Sequence, residues 1–147
     1  MEAKVVNLKS EKVIGLVYRG PNQNGEIPAM WEVFNTRFKE IINPDLTKFY
    51  GLCYDCDTPG SFAYMAGLAV SEVTQLPEGM ELQELPAGKY AIFTFKDPIS
   101  KIGEFWDAIY KTGLKENGLE AVNGMTFELY DERFHQTGEC DIYIPVK

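Results

Sequence analysis

The second half of the chain repeats the order of the first, which restricts the fold to two like units packed against each other. Val13-Ile-Gly-Leu-Val-Tyr-Arg-Gly-Pro21 and Tyr90-Ala-Ile-Phe-Thr-Phe-Lys-Asp-Pro98 are both strand patterns closed by a basic residue, a turn residue and Pro. A helix pattern follows each. Ile27, Met30, Trp31, Phe34, Phe38 and Ile41 recur at steps of three and four, and Ile99, Ile102, Trp106, Ile109 and Tyr110 do the same, the apolar stripe of a 3.6-residue period. Pro98 fits the first helical position behind Asp97 as N-cap, and Asn43-Pro44 marks the end of the first helix. Two strand candidates then follow each helix: Phe49 to Tyr54 with Ser61 to Val70, and Thr126 to Asp131 with Cys140 to Val146. The first strand of each pair ends in Tyr-Asp, at Tyr54-Asp55 and Tyr130-Asp131, so Tyr54 is expected over Tyr130 and Trp31 over Trp106.

Two β-α-β-β units, about 1–70 and about 87–147, with residues 71–86 as a connector carrying a short extra strand, predict an α+β fold. The units are expected to form one antiparallel sheet with helices on one face and a central ligand cleft at the pseudo-two-fold axis. The length of 147 residues suits a single domain, and a chain of that size closes a core without disulfides or structural metals. Fourteen Lys and Arg stand against 22 Asp and Glu, a net charge of −8. That balance opposes direct nucleic-acid binding, which relies on basic residues to neutralise phosphates. No apolar run is long enough to span a membrane, and Met1 to Ser10 lacks the apolar segment of a signal peptide; a cytoplasmic protein without membrane contact is expected. Cys53, Cys56 and Cys140 form an odd set that suits free thiols in a reducing compartment. Cys53 and Cys56 with His135 and Cys140 could complete a zinc site, but the second tight ligand pair of zinc motifs is missing, so no metal is expected.

Chemistry-bearing residues are sparse. The single histidine, His135, sits in a polar segment between strands, where a solvated position is expected rather than a general base. No phosphate loop, dinucleotide fingerprint or HExxH motif occurs, and no cofactor is expected. Glu128 stands apart. In Thr126-Phe-Glu-Leu-Tyr-Asp131 a period of two puts Glu128 and Tyr130 on one face and Phe127 and Leu129 on the other. Large groups on both faces indicate a central strand, where burial raises a carboxyl pKa. Trp31 and Trp106 on the helices, Tyr64 and Tyr143 on the last strands, and Tyr110 at the end of the second stripe supply aromatic walls. Such walls around one acid suit a flat lipophilic cation, through cation–π contacts and charge complementarity.

The paired strand-Pro-helix blocks, Leu85-Pro-Ala-Gly-Lys-Tyr-Ala-Ile-Phe93, Phe127-Glu-Leu-Tyr130 and the closing Asp141-Ile-Tyr-Ile-Pro-Val146 together resemble the GyrI-like domain over nearly the whole chain. This is also the effector-binding domain of AraC-type and MerR-type multidrug regulators. The resemblance implies a pseudo-symmetric pair of β-α-β-β units around an aromatic pocket that binds diverse, often cationic small molecules at a glutamate. On the matching motifs the glutamate is Glu128 and the pocket tyrosine of the last strand is Tyr143; Trp31 and Trp106 are carried over by helix position. Asp97 stands where many members have Gly, and since the first unit begins within the first dozen residues, a stand-alone member without a helix-turn-helix is expected. Three functions follow from the resemblance. The first is small-molecule binding; the second is hydrolysis of electrophilic cyclopropane compounds with Glu128 as general base; the third is interaction with a protein partner such as gyrase or a regulator. One acid with no second acid, nucleophile or oxyanion hole favours binding.

Overall fold

Strands rich in Val, Ile, Phe and Tyr alternate with two amphipathic helices, and the pairing of those strands decides where every side chain points. The structure is a computed structural model that describes residues 1–21, 24–55 and 60–147. Its strands are β1 (Lys4–Leu8), β2 (Glu11–Gly20), β3 (Phe49–Tyr54), β4 (Phe62–Val70), β5 (Glu81–Leu85), β6 (Gly88–Phe95), β7 (Thr126–Tyr130) and β8 (Cys140–Pro145). Helix α1 (Glu26–Arg37) lies between β2 and β3. Helix α2 (Ile102–Ala108) lies between β6 and β7 and runs on through a π turn, Ile109–Gly113, into a last turn, Leu114–Glu116. A short helix, α3 (Glu132–Thr137), separates β7 from β8.

All strands join one antiparallel sheet in the order β1-β6-β8-β7-β3-β4-β2-β5. Read outward from the β7–β3 pair, the two units mirror each other, and the pseudo-two-fold axis passes between those strands. The outermost strands are exchanged. β1 precedes the first unit but pairs with β6 of the second, and β5 precedes the second but pairs with β2 of the first. Only Lys9 and Ser10 separate β1 from β2, a reach of about 11 Å. Those strands stand six places apart in the order, roughly 29 Å in a flat sheet. The sheet therefore curls into a half-barrel, so that residues of both edges, Val6 and Leu8 with Val13 and Leu85, share one inner cluster. Gly15 faces Gly67 where β2 meets β4, and a side chain at Gly15 would run into the Ala66 carbonyl, a close approach that marks a bend.

The inner face holds Tyr50, Leu52, Tyr54, Met65, Tyr90 and Phe127, with Tyr143 packed against them. On the outer face α1 covers Ile14, Ala66 and Leu68 through Phe34, while α2 and its π turn cover Ala91, Phe93 and Ile142 through Ile109. Both helices thus lie on one face, as the sequence predicts.

Three expectations are corrected here. Pro98, extended at φ −56° and ψ 139°, takes the N-cap place of a 3-10 turn, Ile99–Lys101, so neither Asp97 as cap nor Pro98 as first helical residue holds. The polar segment around His135 is helix α3: the Asp131 carboxylate accepts the Arg133 backbone N–H at its start, and Gly138 closes it at φ 79°. Tyr54 does not overlie Tyr130. Phe49, Gly51 and Cys53 pair with Tyr130, Glu128 and Thr126 and share their face, which sends Tyr54 to the inner face while Tyr130 points outward.

Candidate functional site

Glu128 lies on β7, the strand of the second unit nearest the pseudo-two-fold axis, facing outward at the seam between the two helices. The period of two that buries Phe127 and Leu129 inside sends Glu128 toward the helices, where it is only 7% exposed. Its carboxylate is surrounded by neutral donors. Tyr64 and Tyr130 donate their hydroxyls to Oε1 at 2.7 and 2.9 Å, and the Trp106 indole N–H donates to Oε2 at 3.0 Å. Trp31 reaches the acid at one remove: its indole N–H donates to the Tyr64 hydroxyl at 3.0 Å. Its ring also stands edge-on to Tyr130, with centroids 5.6 Å apart. Strand β4 of the first unit and helix α1 therefore complete a site whose acid belongs to the second.

Among the described residues no Lys, Arg or His is ion-paired with Glu128. Burial raises its pKa above the usual carboxylate value, opposed by the donors Tyr64, Trp106 and Tyr130. The same burial, with the acid beside them, pushes the Tyr64 and Tyr130 hydroxyls up, so both remain donors. Cys140, buried nearby, has its thiol pushed up to about 12 by desolvation and then by Glu128, which leaves it a poor nucleophile.

Gly51 is the direct cross-strand partner of Glu128. A Cβ there would collide with the Tyr64 hydroxyl and lie 2.7 Å from its Cζ and 2.8 Å from Glu128 Oε1. The vacant side-chain position at Gly51 is therefore the seat of the Tyr64 hydroxyl.

Helix α3 closes one side. Phe134 stands edge-on to Tyr130, with centroids 4.9 Å apart. Arg133 anchors the helix by donating to Asp131 at 3.0 Å and to the buried Asp141 at 2.6 Å, and Thr94 also donates to Asp141. Phe134 also lines a surface groove of about 340 Å³ with Lys96, Asp97, Pro98, Ile99 and Thr137.

Residues 4–146 match the family described as Cass2, integron-associated effector binding protein. The chain belongs to this effector-binding family. Among its relatives, the transcriptional regulator BrlR of Pseudomonas aeruginosa is 38% identical, over 99% of this chain and 56% of the regulator; the chain thus spans little more than half of that relative. A DNA gyrase inhibitor of Yersinia enterocolitica is 22% identical over 100% of the chain and 98% of its own length. Among solved structures, SAV2435 with tetraphenylphosphonium bound aligns over 100% of this chain and 94% of that one, with a TM-score of 0.78 and 19% identity. An integron cassette protein of Vibrio cholerae aligns with a TM-score of 0.71 and 18% identity over 99% of this chain and 95% of that one. The GyrI-like resemblance read from the motifs is therefore upheld, and the shared fold is that of effector-binding domains.

In this Cass2-type domain the structure gathers Glu128, Tyr64, Tyr130, Trp31 and Trp106 into one constellation. It does not bring Tyr143 or Tyr110 there. Tyr143 pairs with Phe127 across β7 and β8 and stacks on its ring at 4.4 Å inside the half-barrel, on the opposite face from Glu128. Tyr110 sits in the π turn of the second helix, 51% exposed. His135 is exposed on α3, and Cys56 falls outside the described residues. Among the described residues no group of three or more metal-ligating side chains is found, and no helix is long and apolar enough to cross a membrane. Sequence reasoning missed Phe134 and Gly51. Phe134 was findable from the Asp131 cap and Gly138 stop that bound its helix; Gly51 carried no local signal.

Proposed function

We propose that this domain binds a lipophilic cation at Glu128, with Trp31, Trp106, Tyr64 and Tyr130 as the aromatic surround. The observation that carries this reading is a 7%-exposed carboxylate with neutral donors only around it. Isolating such a group from water is costly without a compensating charge, and a cation from outside supplies it. Aromatic faces on both helices add cation–π attraction of about 0.5–2 kcal/mol per close contact. Family membership and the tetraphenylphosphonium held by a similarly folded protein support the same ligand class. Since Glu128 is only 7% exposed, a ligand that touches it has to enter between the aromatic side chains, on the Oε2 side where Trp106 is the one hydrogen-bond donor among the described residues.

Hydrolysis is less well supported. A general base needs a lone pair aimed at water, and three of the about four lone-pair positions of Glu128 are taken by protein donors, with no second acid or nucleophile among its hydrogen-bond partners.

Titration calorimetry of wild type and Glu128→Gln, with tetraphenylphosphonium and with benzyltrimethylammonium beside its neutral isostere neopentylbenzene, tests the reading. Removing the charge should weaken both cations by about tenfold or more, about 1.4 kcal/mol, through loss of Coulombic attraction, and spare the neutral compound. Equal losses for charged and neutral ligands would place the binding site elsewhere.

A further inference from the structure

The hydrogen bonds that hold Glu128 also restrict which cations suit it. A carboxylate offers about four lone-pair positions. Oε1 is filled by Tyr64 and Tyr130, and Oε2 receives Trp106, so among the described residues one position on Oε2 remains open. Nor are the tyrosines free to turn. The Tyr64 oxygen accepts the Trp31 N–H, which directs its single proton to Oε1, and Gly51 leaves the room that keeps the hydroxyl there.

We propose that this saturation makes the site discriminate against cations that carry several N–H donors, in favour of cations with none, and that Tyr64 and Tyr130 are the residues that set the preference. The inference rests on the reading that Glu128 holds a cation. A primary ammonium brings three N–H donors that all require acceptors. One fits the open position on Oε2, and each further bond to the acid displaces a tyrosine hydroxyl and leaves it buried without an acceptor. A trimethylated nitrogen presents the same charge without directed bonds, so it attracts the carboxylate electrostatically and rests its methyl groups on the aromatic faces. The tyrosine hydroxyls then stay in place.

The test compares benzylammonium with benzyltrimethylammonium by titration calorimetry at neutral pH on wild type, Tyr130→Phe and Tyr64→Phe. The quaternary ion is also less strongly hydrated, so the deciding quantity is the change in the affinity ratio between proteins. Wild type should prefer the trimethylated cation by about tenfold or more. Tyr130→Phe opens a lone pair on Oε1 and should cut that ratio to about a third or less by gaining affinity for benzylammonium. Tyr64→Phe should move it in the same direction, and it carries the test if circular dichroism shows Tyr130→Phe to be unfolded. A ratio unchanged within about twofold in the folded variants, or a wild type that prefers benzylammonium, overturns the proposal while leaving cation binding at Glu128 intact. Failure of wild type to bind either cation overturns both.

Discussion

Glu128 and Gly51 face each other across the pseudo-two-fold axis, one on each of the two central strands. The second unit contributes an acid and the first contributes a vacancy. The helices differ in the same sense: Trp106 donates directly to the carboxylate, while Trp31 donates to Tyr64, which passes its own proton on. A symmetric scaffold brings two aromatic helices and two strands to one seam, but two buried acids there would repel each other. On the proposed reading, binding at the axis thus depends on breaking the symmetry. One strand holds the charge, and the other yields the space that a tyrosine from β4 fills.

Adding a methyl group on the vacant side is expected to have the largest effect. Gly51→Ala forces the Tyr64 ring and the Glu128 carboxylate apart; the backbone at Gly51 is not in the left-handed region, so the strain comes from contact alone. Overpacking of this kind costs about 1–3 kcal/mol. Urea unfolding should show that loss, together with weaker cation binding. Unchanged stability and affinity would mean that the seam is loose and that the empty position has no part in the site.

The two tryptophans allow a finer comparison. Trp106→Phe removes a donor to a charged acceptor, whereas Trp31→Phe removes a weaker bond between neutral groups. Carbon-detected NMR titration of Glu128 should therefore show its pKa rising further in Trp106→Phe than in Trp31→Phe, because only Trp106 touches the carboxylate. Equal shifts would make the relay through Tyr64 as strong as a direct bond.

What could be read from the sequence follows from the range of each signal. The face shared by Glu128 and Tyr130 is legible because a period of two fixes it within five residues. The apolar stripes of both helices are legible for the same reason. Equating Tyr54 with Tyr130 by their place at strand ends fails because a one-residue slip exchanges faces, and only the β3–β7 register reveals it. Tyr143 is carried to the inner face by its pairing with Phe127. The exchange of β1 and β5 between units is a long-range pairing with no local trace. Tyr110 extends the apolar stripe in sequence, but the π turn at Ile109–Gly113 changes the helical phase, and Ile109 takes the buried place instead.

The smallest effect expected is a pH dependence that belongs to Glu128, and its sign is opposite to that of most carboxylates. Burial raises the folded-state pKa of Glu128 above its unfolded value, so the folded protein binds this proton more tightly. As pH climbs from the usual carboxylate range toward the folded-state pKa, the unfolded chain releases its proton first, and stability falls until the folded acid ionises too. Asp45 and Asp131 act the other way at lower pH: hydrogen bonds, from Thr47 and Arg133 respectively, lower their pKa values, so their contribution is lost as pH drops through them. Glu128→Gln separates the two. Since both proteins carry Asp45 and Asp131, the stability of wild type minus that of the variant contains the Glu128 term alone. Urea unfolding between about pH 4 and pH 9 should show this difference declining with pH and then levelling. A saturating cation shortens the decline, because it favours the ionised acid and pulls the folded-state pKa back down. A difference that stays flat across the range would mean that Tyr64, Tyr130 and Trp106 offset the desolvation in full, leaving no uncompensated charge for a cation to relieve.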